Sequence, residues 1–210
     1  MLNYLVRLGW SHGDQEIFTI EEMRELFDIA DVNKSASAIN PEKLAWISQQ
    51  HLMRLPAARI AAELRWQLER LGVDTSAGPP LEAVVEAQRE RAKTLKDMAL
   101  ASRFFFEAPV SYEDKAARKY LAPESKALLE QTRAMLAALV DWSAPAIHEA
   151  VQALAEGSGL GLGKIAQPLR VAVSGGSGSP PIDQTLAILG REQTLMRLDR
   201  AIGYADRDSA

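Results

Sequence analysis

The stretch Pro56-Ala57-Ala58-Arg59-Ile60-Ala61-Ala62-Glu63-Leu64-Arg65-Trp66-Gln67-Leu68-Glu69-Arg70-Leu71-Gly72 sets the fold class. Pro56 breaks the element before it and Gly72 stops the run. Between them Ile60, Ala61, Leu64, Leu68 and Leu71 recur at helical spacing instead of alternating as a strand would. Working towards the N-terminus, Asn40-Pro41 is a helix start, because Asn accepts an orphan amide and Pro needs no donor at the first helical position. Leu44, Ile47 and Leu52 then form its buried stripe. Thr19 with Glu22 has the spacing of a capping box, opening a helix that should carry Met23, Leu26 and Phe27 inward. Before it, Leu2, Leu5, Val6 and Trp10 suit a short amphipathic helix loosened at Gly9, with a turn over Ser11 to Asp14.

Towards the C-terminus, Asp74 to Pro80 is a polar loop, and Leu81, Val84, Val85 and Gln88 resume the helical period. The charged run Arg89 to Asp97 is expected to continue that helix. Phe104-Phe105-Phe106 before Pro109 marks a buried hinge. Leu128, Leu129, Thr132, Met135, Leu136 and Leu139 define a helix opening near Pro123, and Ser143 caps another with Ile147, Val151 and Leu154. Gly157 to Gly163 is punctuation, followed by a short segment from Lys164 to Val173. Ser174 to Ser179 is a second Gly/Ser loop, and Ser179-Pro180-Pro181 starts a helix, Ile182 to Leu189, that Gly190 stops. Leu195, Leu198 and Ile202 give a last one. The expected fold is all-α, two helical modules joined near residue 110.

The chain of 210 residues can bury a core without covalent staples. Its mean hydropathy is near zero. It has no Cys, which excludes disulfides, thiolate metal sites and a thiol nucleophile, and fits a reducing cytoplasm. His12, His51 and His148 are too far apart for a ligand motif, so no metal site is expected. No apolar run is long enough for a membrane span. The glycine-rich loops fail the phosphate-loop pattern, since Ser158 stands where its first Gly belongs and Ile165 where its hydroxyl belongs. No nucleophile elbow occurs, and no catalytic residue is assigned. Asn33-Lys34-Ser35 matches a glycosylation sequon by chance.

The formal charge is -4, which argues against a uniformly basic nucleic-acid binder. The basic residues nevertheless cluster. Arg89, Arg91, Lys93 and Lys96 form one group and Lys164, Arg170, Arg191, Arg197, Arg200 and Arg207 another. The first forty residues are acidic. Such polarity orients a molecule on a polyanion, or merely decorates solvated helix faces.

The wording of the chain goes further than its spacing. Leu2-Asn3-Tyr4-Leu5, Leu8-Gly9-Trp10-Ser11, Gly13-Asp14-Gln15-Glu16-Ile17-Phe18, Asn33-Lys34-Ser35-Ala36-Ser37 and Glu42-Lys43-Leu44 resemble, in order, the part of bacterial glutamyl-tRNA synthetases just after their catalytic signatures. Gly163-Lys164-Ile165-Ala166-Gln167-Pro168-Leu169-Arg170, Ser179-Pro180-Pro181, Leu189-Gly190-Arg191-Glu192 and Arg197-Leu198 continue the match. The family's His-Ile-Gly-His-like and Lys-Met-Ser-Lys-Ser-like motifs are absent, Lys34-Ser35-Ala36-Ser37 being a superficial echo of the second.

The resemblance implies the C-terminal anticodon-binding region: residues 1-54 the end of the stem-contact region, 55-110 a first anticodon-binding helical bundle and 111-210 a second. It implies tRNA(Glu) as partner, in a cytoplasmic and monomeric protein that uses neither membrane nor DNA. Glutamate ligation with ATP and magnesium would then belong to a catalytic domain in the full-length enzyme, and this chain alone would hold no cofactor and be inactive. In the family's pattern Arg91 meets the third anticodon base, where Glu and Gln tRNAs differ as C against G. Arg170, Ser179, Pro180 and Ile182 correspond to contacts with the first two bases. Pro181 departs from the Gly common there. A guanidinium suits the O2 and N3 acceptors of cytosine and opposes the N1-H and N2-H donors of guanine. The alternative is a freestanding helical adaptor, binding tRNA or a protein without catalysis.

Overall fold

Helical periodicity plus local stop signals produces helices at nearly every place where both occur. The computed structural model describes residues 1–34 and 38–207. Ser35 to Ser37, with the sequon and the motif echo that run through them, lie outside the described residues. The described part is all-α, as expected, with no strand. In chain order the helices are α1 (Leu2–Val6), α2 (Ile20–Leu26), α3 (Pro41–Arg54), α4 (Ala57–Arg70), α5 (Leu81–Gln88), α6 (Leu95–Phe106), α7 (Asp114–Tyr120), α8 (Lys126–Ala138), α9 (Ala144–Gly157), α10 (Leu162–Ser174), α11 (Ile182–Leu189) and α12 (Arg191–Arg207). Short 3-10 turns lie at Ile29–Asp31 and Pro123–Ser125. No helix among the described residues is long and apolar enough to cross a membrane.

The caps act as the residue types dictate. Thr19 Oγ1 accepts the Glu22 amide at 3.1 Å while Glu22 accepts the Thr19 amide at 2.7 Å, a complete capping box. Asn40 Oδ1 accepts the amides of Glu42 and Lys43, and Ser143 Oγ accepts that of Ala146. Each such cap contributes about 1 kcal/mol.

Helices α1 and α3 form the N-terminal part around a small core of Tyr4, Ile17 and Ile47. Buried Asn3 ties the loop to both helices. Its Nδ2 donates to the Glu16 carbonyl, and its Oδ1 accepts from the Phe18 amide and from His51 Nε2. Glu16 reaches Arg7 at 2.9 Å and Lys43 at 3.1 Å. Helix α2 buries nothing fully. Phe27, expected inside, is 42% exposed, and with Leu2, Val6, Ile20 and Met23 it lines an open apolar groove. A five-residue α1 offers too little surface to cover that face.

Helices α4, α5 and α6 pack on one another, and α7 to α12 pack around α10. Leu64 and Leu68 of the opening stretch are fully buried between α5 and α6, each side chain contributing about 1.5–3 kcal/mol. Helix α10 is the most enclosed. Ile165, Ala166, Leu169, Val171, Ala172 and Val173 are all buried, and Pro168 inside it costs one intrahelical bond. The segment from Lys164 to Val173 is therefore a core helix, not a short linker element. One apolar core runs from Leu52 to Ala201 without a break at the Phe104 to Pro109 junction, where Phe104 and Phe105 are buried. Contacts of α5 with α11 and of α6 with α10 close that junction.

Two further expectations are corrected. The run Arg89 to Asp97 does not continue α5. The helix ends at Gln88, and Thr94 starts a new one by accepting the Asp97 amide at 3.1 Å. Helix α7 was not foreseen, because its two buried alanines, Ala116 and Ala117, give no apolar stripe.

Candidate nucleic-acid interface

The turn from α5 to α6 is held from both sides. The amides of Arg91 and Ala92 both close on the Gln88 carbonyl, at 2.9 and 3.0 Å. Buried Gln88 donates through Nε2 to the Ala101 carbonyl of α6 at 3.0 Å. Arg89 donates to the Leu55 carbonyl at the end of α3 at 2.7 Å. A turn pinned in this way presents Arg91 outward. Its guanidinium is exposed and takes part in no ion pair or side-chain hydrogen bond among the described residues.

The facing wall is the loop after α10. Gly178 and Ser179 meet Gln88, Arg91, Ala92, Asp97 and Ala101 around a cleft of about 210 Å³. That is below the roughly 300–1,000 Å³ of a drug-sized pocket, a size suited to one planar base. Ser179 is 6% exposed. Its hydroxyl donates to the Pro180 carbonyl and accepts from Arg170 Nε, both at 2.9 Å, with the Thr185 hydroxyl 3.3 Å away.

Arg170 has no carboxylate partner among the described residues. Burial, and next the charge of Arg91, lower its hold on its proton. Two guanidiniums close enough to repel, with no acid between them, focus positive potential on the cleft mouth. Three of the residues singled out from sequence, Arg91, Arg170 and Ser179, thus converge from different elements.

The other two do not reach the cleft lining. Pro180 and Ile182 are buried, Ile182 in the main core, while Pro181 is exposed. Ser179 is not the cap of α11 either. That helix begins after Pro181 with no side-chain cap, and the Ser179 hydroxyl is spent on Arg170 and Pro180.

Much of the basic clustering serves helix ends. Arg191 donates to the Leu139 and Val140 carbonyls after α8. Arg200 donates to those of Pro109 and Val110. Arg197 is 2% exposed, and its Nη1 reaches the Phe104 carbonyl at 2.6 Å and the Val173 carbonyl at 2.7 Å. Burial pushes its pKa down to about 10. With Arg89, these four guanidiniums satisfy orphan carbonyls near helix C-termini, where the helix dipole also favours a cation. Lys93, Lys96 and Lys164 remain exposed beside Arg91 and Arg170 as surface charge. The Arg207 side chain lies outside the described residues.

Sequence reasoning missed Asp97 and Gln88. Thr94-x-x-Asp97 has helix-start spacing and is legible in the chain, but Gln88 gives no signal, since only its buried contact with Ala101 distinguishes it. A larger hollow of about 640 Å³ lies against α3, lined among others by Glu22, Trp46, His51 and Arg54. There, burial and the neighbouring N-terminal and Arg54 charges lower the His51 pKa. Among the described residues no three His, Asp or Glu side chains come together as metal ligands.

Comparison with known proteins agrees with this geometry. The sequence profile of a family described as an anticodon binding domain matches residues 58–202. Glutamate–tRNA ligase 1 of Alkalilimnicola ehrlichii is 58% identical over 210 residues, which is 100% of this chain and 45% of that protein. Glutamate–tRNA ligase 2 of Halorhodospira halophila is 53% identical over 96% of this chain and 43% of its own length. Among solved structures, the glutamate tRNA ligase of Elizabethkingia meningosepticum in complex with its amino acid superposes with a TM-score of 0.85 at 33% identity. It covers 96% of this chain and 40% of that one. The glutamate-tRNA synthetase of Elizabethkingia anophelis gives a TM-score of 0.81 at the same identity. The chain spans less than half the length of the curated relatives it matches. It belongs to the anticodon-binding-domain family and corresponds to the C-terminal part of glutamate–tRNA ligases.

Proposed function

We propose that this chain binds tRNA(Glu) by its anticodon, with the cleft between the α5–α6 turn and Gly178–Ser179 holding the third base. The observation that carries the reading is the convergence of exposed, unpaired Arg91 with Arg170 and Ser179 on one small cleft. Arg91 donates to O2 and N3 of cytosine and opposes guanine's donors. A contact of that kind is worth about 1–3 kcal/mol by analogy with base readout in grooves. Arg170 and the Ser179–Ile182 segment address the first two bases. Buried Pro180 and Ile182 set the backbone of that segment, and Pro181 supplies the apolar surface on which an unstacked base rests.

In this reading residues 1-54 are the end of a stem-contact region, 55-110 and 111-210 are the two anticodon-binding units, and the protein works in the cytoplasm. Ligation of glutamate with ATP and magnesium belongs to the portion of the relatives that this chain does not cover.

A gel-shift titration with tRNA(Glu) transcripts tests the proposal. Changing the third anticodon base from C to G should weaken binding about tenfold or more. Arg91→Ala should remove most of that difference. Equal affinity of the unaltered chain for both transcripts refutes the base-reading role. A uniform loss on Arg91→Ala makes Arg91 a phosphate contact instead.

A further inference from the structure

Arg91 shares its cleft with one carboxylate, Asp97. The two carry opposite charges and line one small space, yet no ion pair joins them among the described residues. Asp97 is held by Thr94, whose hydroxyl donates to Asp97 Oδ2 at 2.7 Å and accepts the Asp97 amide at 3.1 Å. That fixes the carboxylate and leaves Oδ1 without a hydrogen bond among the described residues. The cleft therefore presents a fork of donors from Arg91 and one oriented acceptor.

We propose that Asp97 is a second base-reading residue, whose Oδ1 accepts the exocyclic amino group of the cytosine whose O2 and N3 face Arg91. This rests on the anticodon reading above. The Watson–Crick edge of cytosine offers an acceptor, an acceptor and a donor, running outward from the sugar. Arg91 satisfies the first two and Asp97 the third. Uracil in the same pose turns a carbonyl towards Asp97 and a ring N-H towards Arg91, and guanine turns O6 towards Asp97 and two donors towards Arg91. The pair rejects both, where the arginine alone would leave the outer position unread. Thr94 acts as a positioning residue for Asp97.

The test uses anticodon stem-loops of tRNA(Glu) sequence whose third anticodon base is cytosine, guanine or 2-pyrimidinone, the last being cytosine without its amino group. Binding is measured for the unaltered chain and for Asp97→Ala, Asp97→Asn and Arg91→Ala. Asn keeps a carbonyl for the Thr94 hydroxyl but can turn an amide donor into the cleft. The unaltered chain should bind the 2-pyrimidinone loop about tenfold more weakly than the cytosine loop. Asp97→Ala should bind the two alike, Asp97→Asn should prefer 2-pyrimidinone, and Arg91→Ala should keep the dependence on the amino group. Thermal melts of the variants separate a lost helix cap from a lost contact. The proposal is overturned if the amino group makes no difference to the unaltered chain, or as much difference to folded Asp97→Ala as to the parent. If the unaltered chain fails to prefer cytosine to guanine, the anticodon reading itself fails, a separate result.

Discussion

Replacing Arg197 by Met removes a cation from the middle of the molecule and leaves two carbonyls behind. Phe104 and Val173 lie in the last turns of α6 and α10, where no amide further along the helix serves them, and both are buried. The single Nη1 of Arg197 meets both, at 2.6 and 2.7 Å. Each buried carbonyl left alone costs about 1–3 kcal/mol, so the pair costs about 2–6 kcal/mol. An offset comes from the guanidinium itself, which is desolvated and has a buried Nε without a partner. Its removal recovers part of the burial cost, leaving a net destabilisation of about 2–4 kcal/mol. For a chain of this length that lowers Tm by about 5–15 °C. Melting followed by circular dichroism measures it, with Arg197→Lys, which keeps a charge and several donors, falling between. The same variants, titrated with tRNA below their melting range, should show an unchanged dependence of affinity on salt. A Tm within about 2 °C of the parent, under about 1 kcal/mol, refutes the clasp. A salt slope reduced by about one shows instead that Arg197 neutralises a phosphate.

Other perturbations test separate parts of the argument. Gly78→Ala should destabilise by about 1–3 kcal/mol, because a Cβ there would lie 2.1 Å from the Phe106 ring; a melt equal to the parent's would show that the ring moves aside freely. Gly175 ends α10 at φ +82° with Pro109 2.7 Å from a built Cβ. Ala there should cost at least about 1 kcal/mol, read from a urea midpoint. Thr19→Ala should cost about 1 kcal/mol and register chiefly as faster amide exchange in α2. The His51 pKa is lowered from 6.5 by burial, the nearby N-terminal charge and Arg54. The unfolded chain therefore binds the proton more tightly, so this residue's contribution to stability is present above about pH 6.5 and lost as pH falls from there through the folded pKa. His51→Gln should flatten that dependence in a melt series, and an unchanged pH profile would rule His51 out as its source.

The helices legible in the chain were those with both a periodic stripe and a stop. The stretch from Pro56 to Gly72 shows both, and α4 ends within it. Where one signal was missing the reading slipped. Ala116 and Ala117 are too small to mark α7, and the charges after Gln88 masked the new start at Thr94. The glycines before Lys164 suggested a connector, while the residues after them build the most enclosed helix. Charge was the least informative property. Arg91 and Arg197 look alike in sequence, yet one is exposed and unpaired and the other closes two helix ends. Only the three-dimensional neighbourhood of a guanidinium, its carbonyls or their absence, tells them apart. Gln88 and Asp97 escaped notice for the same reason, since each takes its importance from a partner on the next element.

The cleft draws one wall from the turn after α5 and the other from the loop after α10, far apart along the chain. A protein made from its N-terminus completes α4, α5 and α6 well before Gly178 exists. In the proposed role, a chain interrupted anywhere between the two walls carries Arg91 with nothing opposite it and discriminates no base. Recognition therefore certifies completion. A synthesis product or proteolytic fragment that stops short cannot occupy tRNA selectively and compete with finished molecules.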